Sequence, residues 1–156
     1  MLNLLFFIVV VIGNCFADDN DYTSNKSDEN LRKFRKQFCV PKRTDNEIVK
    51  KIIDCENKAM NGSTNDFKLL KVKLDKIGEQ CGQGLDTEIA AYSKVDLKND
   101  QAKQLLLAEC SPKHETCYNN ELNNNKLLVE DLRKISNEYY AAFKCYVDCA
   151  LKVVNV

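Results

Sequence analysis

The sequence predicts an all-α protein, a single disulfide-stapled bundle of about five to seven helices with a long C-terminal helix. Three observations carry this. Apolar residues recur at threes and fours, and nowhere do they alternate with polar ones as in a half-buried strand. Two prolines and five glycines are spread over 156 residues, too few to divide the chain into short strands and turns. Cysteines run through the helical pattern from Cys39 to Cys149, at a density that outside the cell means cross-links.

The chain opens MLNLLFFIVVVIGNCFA, with an apolar run from Leu4 to Gly13. Two small residues, Cys15 and Ala17, stand where a signal peptidase reads them for a cut after Ala17. The run is shorter than the roughly 20 residues of a spanning helix. An uncleaved N-terminal anchor is the other reading of the same run. The expected layout is a signal peptide over 1–17, a disordered acidic lead over 18–27 and a helical domain over 28–156. The protein would be secreted and extracellular, with no integral membrane segment. The charges balance, 23 basic against 23 acidic, so the net charge makes no case for a nucleic-acid partner. Charge is locally uneven, acidic before residue 30 and basic from Arg32 to Lys51, and the basic run reads as the solvated face of a helix in preference to an anion-binding patch.

The elements follow in order. Ser27 with Asp28 and Glu29 can start a first helix, which carries Leu31, Phe34 and Phe38 and is broken by Pro41. TDNE has the form of a capping box, the Thr44 hydroxyl accepting from the third helical amide and Glu47 reaching back. Ile48, Ile52 and Cys55 follow at helical spacing, and Asn61-Gly62 ends that helix. Thr64 caps a third helix with Phe67, Leu70, Leu74 and Ile77 on one side, ending at Cys81-Gly82 in a left-handed exit. Asp86 caps a short helix in LDTEIAAYSKV. NDQAKQLLLAEC is the next, and Ser111-Pro112 restarts the chain as cap and first turn. One last helix is expected from about Asn124 to Val154, on a stripe of Leu128, Leu132, Ile135, Tyr139, Phe143, Tyr146 and Ala150.

With Cys15 removed in the signal peptide, seven cysteines remain, and an odd one must stay free or pair with another chain. In the last helix Cys149 sits at the edge of the apolar stripe, while Cys145 lies one turn back and further round the flank. That favours Cys149 for an intrachain bridge and Cys145 as the spare thiol, with the converse still open. The spare either links two chains into a disulfide-bonded homodimer or packs as a small buried hydrophobe. Asn25-Lys26-Ser27 and Asn61-Gly62-Ser63 are glycosylation sequons, so Asn25 and Asn61 are candidate acceptors of a glycoprotein.

Catalysis finds little support. His114 is the sole histidine, no G-x-S-x-G elbow presents a serine, and no H-E-x-x-H helix offers a zinc site. DLKNDQAKQLLLAE has the length of a calcium loop without its turning glycine. Glu130 and Asp131 are adjacent on a helix and point apart. Oxidised cysteines give no thiolates, and one histidine cannot hold zinc or copper alone. No catalytic residue, metal or cofactor is expected, and His114 reads as the cap of a polar helix start. The aromatics Phe34, Phe38, Phe67, Tyr92, Tyr139, Tyr140, Phe143 and Tyr146 admit two readings. They fill a core, which the residues alone favour, or they line an apolar cavity in which tyrosine hydroxyls orient a ligand.

The cysteine spacing, C-x15-C-x25-C-x28-C-x6-C-x27-C-x3-C, resembles that of the insect odorant-binding protein superfamily when joined to the signal peptide and the helical pattern. The closer likeness is to its divergent members, the ant venom allergens, through CSPKHETC and a late cysteine in CALKVV. The resemblance implies a helical bundle with three interlocked disulfides around a hydrophobic pocket. Its pairing order would join Cys39 to Cys81, Cys55 to Cys117 and Cys110 to Cys149. The expected function is then that of a secreted carrier of a small hydrophobic ligand, in chemosensation, saliva or venom. Its pocket would lie between the last helix and the helices around Phe34 and Phe67, touched by Tyr139, Phe143 and Tyr146. The alternative is a secreted venom, salivary or defence protein that binds a macromolecule and has no ligand cavity. FCVPKRTDNEIVKKIIDC, followed by Cys81, is also similar to the opening of small helical antimicrobial proteins of ticks, whose copper-binding histidines this chain lacks.

Overall fold

A computed structural model describes residues 24–155, with side chains from Asp28 onward. The expected signal peptide, Cys15 with it, lies outside the described residues. Eight helices are formed: α1 (Ser24–Phe38), α2 (Asn46–Met60), α3 (Asn65–Gly82), α4 (Asp86–Ile89), α5 (Asp100–Cys110), α6 (Pro112–Asn124), α7 (Lys126–Lys134) and α8 (Ser136–Val154). No strand occurs among the described residues. The all-α class is as the sequence predicts. The count exceeds five to seven because the expected last helix is two.

That division falls at Ile135, whose backbone leaves the helical region at φ −110° and ψ 21°. Neither proline nor glycine causes it. α7 lies against α6 and α3, whereas α8 packs on α1 and α2. A straight helix could not present Leu128 and Leu132 to one set of neighbours and Tyr139, Phe143 and Tyr146 to the other. At the other end, α1 starts at Ser24, inside the stretch expected as the acidic lead.

Three caps differ from the sequence pattern. Asp86 is the first helical residue of α4, and the preceding Leu85 makes no side-chain cap. Asp45, not Thr44, is the N-cap of α2, its carboxylate accepting from the Ile48 amide at 3.0 Å. The Thr44 hydroxyl instead donates to the Phe38 carbonyl, which closes the turn around Pro41. Thr64 does precede α3, but its hydroxyl donates to Glu138 of α8 at 2.8 Å and so ties two helices together. Gly82 remains helical, and the positive φ expected there falls at Gly84, at 76°. Gly82 serves packing: a Cβ would stand 3.0 Å from Leu107 Cδ1, so its absence lets α3 approach α5.

The six cysteines expected to form bridges do so, in a different order. Cys39 pairs with Cys110, Cys55 with Cys149 and Cys81 with Cys117. None of the three pairs implied by the odorant-binding resemblance is formed. Packing explains the correction. α8 lies along α2, which brings Cys149 to Cys55 instead of Cys110, and α3 lies along α6, which brings Cys81 to Cys117. Cys145 is not a spare thiol either. It is 4% exposed and disulfide-bonded, and no described cysteine is free to link two chains. α8 is clamped between neighbours, so its buried face is wide enough to take in Cys145 and leave Cys149 half-buried at the edge.

Candidate functional site

The five aromatics expected to line a pocket are all in the core. Phe34, Phe67 and Tyr146 have no exposed surface, Tyr139 has 2% and Phe143 has 4%. Phe34 meets the Tyr146 ring edge-on at 6.1 Å between centroids, and Tyr139 stacks on Phe143 at 6.4 Å. These are packing geometries. Burial pushes the Tyr139 phenol well above its ordinary range, and its hydroxyl has no hydrogen-bond partner among the described residues. His114 is also interior. Its Nε2 donates to the Gly78 carbonyl at 2.9 Å, joining α6 to α3, and burial lowers its pKa. The cap of α6 is Ser111, which accepts from the His114 amide at 3.2 Å.

A concave feature lies elsewhere among the described residues. A cleft of about 280 Å³ opens between α2, α3 and α5. Helical spacing assembles each wall. Ile53, Glu56, Asn57 and Met60 stand on one face of α2, Lys71, Asp75 and Glu79 on one face of α3, and Asp100, Gln104, Leu105 and Ala108 on one face of α5. Leu105 and Ala108 form a buried apolar floor, widened by the half-buried Ile53 and Met60. Four carboxylates, Glu56, Asp75, Glu79 and Asp100, face a single lysine, Lys71.

Lys71 spans two of those acids. Its Nζ lies 2.7 and 2.9 Å from the two Asp75 oxygens and 3.5 Å from Glu56 Oε1. The Asp75 contact is an ordinary one-turn pair; the Glu56 contact crosses from α3 to α2. Burial raises the Glu56 pKa, and the Lys71 charge offsets only part of that rise. The Gln104 carbonyl oxygen, on the α5 wall, is buried without a hydrogen-bond partner.

Each wall helix is tied by a different disulfide. Cys55 holds α2 to α8, Cys81 holds α3 to α6, and Cys110 holds the end of α5 to Cys39 after α1. The sequence places these faces on helices but does not show that they meet, because each alone has the mixed composition of a solvated surface.

A second concavity, between α3 and α7, is lined by Asp66, Leu69, Leu70, Lys73, Asp131, Lys134 and Ile135. None of the five aromatics lines either cleft. Among the described residues no cluster of histidine, cysteine and carboxylate side chains could hold a metal ion, and no helix is long and apolar enough to cross a membrane. Asn61 is exposed in the turn after α2, whereas the Asn25 side chain lies outside the described set. The chain matches no protein-family model, no curated protein and no solved structure.

Proposed function

We propose that this protein is a secreted, non-enzymatic carrier of a small molecule, and that its site is the cleft between α2, α3 and α5 instead of the aromatic core. One observation supports this above the others: an apolar floor and a polar wall share one concavity whose three helices are each cross-linked to the rest of the bundle. Ligand pockets combine apolar lining with a few placed polar groups. Walls held by covalent ties lose less conformational freedom on binding, which favours affinity. The ligand is then amphipathic, its apolar body on Leu105, Ala108, Ile53 and Met60. Secretion fits the N-terminal apolar run and the disulfides, and glycans at Asn61 and Asn25 would accompany passage through the secretory route.

Displacement of an apolar fluorescent probe tests the site. Asn57→Trp fills the cleft from its exposed rim without touching the core, and it should abolish probe binding. Phe143→Ala should leave the affinity of the folded protein unchanged. The reverse pattern would return the site to the aromatic cluster.

A second reading, a venom, salivary or defence protein that binds a macromolecule, draws on the outer face of α3. Leu69 and Val72 stand 65% and 53% exposed there, beside Lys73. Loss of target binding in Leu69→Ser, with the cleft intact, would support it.

A further inference from the structure

We infer that the ligand of the α2/α3/α5 cleft carries a primary ammonium group, which takes over the carboxylates that Lys71 engages in this structure. The inference rests on the carrier reading and names the ligand class for the same site.

The charge of the lining argues first. Glu56, Asp75, Glu79 and Asp100 surround one cation, so the cleft has an excess of negative charge in a concave, partly apolar setting. Such a setting focuses the field and raises the local concentration of cations. An anionic amphiphile would have to approach four carboxylates. A neutral one would cover Glu56 and Asp75 without giving either a new partner, and desolvation of an ionised group is costly when nothing replaces the water.

Lys71 argues second, because it shows what the carboxylates are set to bind. Its ammonium is held by both oxygens of Asp75 and lies within ion-pair distance of Glu56, on a neighbouring helix, with its side chain only 18% exposed. A hydrogen-bonding R–NH₃⁺ group fits that arrangement, whereas a fully methylated ammonium has no N–H to donate. The lysine stem is flexible and can carry its ammonium outward to solvent. An incoming amine would then meet Asp75 and Glu56 from the cleft side, with its chain lying on Ile53, Met60 and Leu105. Lys71 thus acts as an intramolecular competitor of the ligand: it keeps the carboxylates paired and sets a threshold of affinity.

Three probes of equal chain length separate the possibilities: octylamine, octanol and octanoate at pH 7, titrated calorimetrically into the disulfide-intact protein. Octylamine should bind one to one and roughly tenfold or more tighter than octanol, with octanoate weakest. Lys71→Met should tighten octylamine by roughly tenfold and widen its margin over octanol, while Lys71→Arg should not tighten it. Asp75→Asn should weaken octylamine alone. Circular dichroism establishes that each variant is folded. Equal affinity for octylamine and octanol in wild type and Lys71→Met would overturn the amine inference and leave the carrier reading standing. Failure of all three probes to bind folded wild-type protein would overturn the carrier reading itself.

Discussion

Arg35 and Glu109 form an ion pair inside the bundle. The guanidinium Nε lies 3.1 Å from Glu109 Oε2, and the Glu109 side chain has no exposed surface. The pair joins α1 to α5 next to the Cys39–Cys110 disulfide, and a second guanidinium nitrogen reaches Glu115 of α6 at 3.3 Å. One arginine from the basic run therefore serves the interior, in a stretch whose pattern reads as a solvated face.

Removing one partner should be costly. Arg35→Met leaves Glu109 buried beside apolar neighbours and should destabilise the protein by about 3–5 kcal/mol. The double variant Arg35→Met/Glu109→Leu should recover most of that loss, since an apolar pair of similar volume avoids burying charge. Urea denaturation with the disulfides intact measures both. Equal loss in the single and double variants would show that packing, not charge, sets the cost.

The pH dependence follows from the same group. Burial raises the Glu109 pKa, and Arg35 draws it only part of the way back. Between the ordinary and the raised value, the folded state holds a proton that the unfolded chain has released. This contribution to stability is complete below the ordinary glutamate range and is lost as pH rises through the raised folded value. Glu56 adds a slope of the same sign. His114, whose pKa is lowered by burial, acts oppositely: its contribution is present above its ordinary value of 6.5 and is lost as pH falls through the lowered one. In Glu109→Gln the decline in stability with rising pH should flatten, as read by denaturation midpoints across mildly acidic to neutral pH. An unchanged slope would remove Glu109 from the account.

Peptide mapping without reduction should recover Cys39 with Cys110, Cys55 with Cys149 and Cys81 with Cys117. These bridges span 71, 94 and 36 residues. In the chain-entropy model each contributes about 4–5 kcal/mol, so a Cys81→Ala/Cys117→Ala variant should unfold at markedly lower denaturant. Recovery of Cys39 with Cys81 would instead support the odorant-binding framework.

Phe34 tests the separation of core from site. It is fully enclosed and stacks on Phe38 at 5.1 Å. Phe34→Ala should cost about 3–5 kcal/mol of stability. On folded protein it should leave probe affinity unchanged.

The helices and their inward faces are legible in the sequence because local spacing determines both. Phe34, Phe38, Phe67, Leu74 and Tyr146 recur at helical intervals, and all are buried. Pairing is not legible there, because which cysteines meet depends on which helices lie side by side. The break at Ile135 is hidden for a similar reason: α7 and α8 continue one stripe but serve different neighbours. Asp45 displaces Thr44 as cap because the Thr44 hydroxyl is drawn to the turn around Pro41. The cleft escapes a linear reading altogether. Glu56 with Met60, Lys71 with Asp75 and Gln104 with Ala108 each look like part of a mixed surface until three helices bring them around one space.

The central claim is the location of the ligand site, and an amide-resolved NMR titration of the disulfide-intact protein addresses it most directly. Octanol and octylamine are titrated separately, so the result does not depend on ligand charge. The account predicts that the shifts that move will cluster at Glu56, Asn57, Lys71, Asp75, Gln104 and Leu105, on the three walls of the cleft. Shifts clustered instead at Phe34, Phe67, Phe143 and Tyr146, or none with either probe, would contradict it.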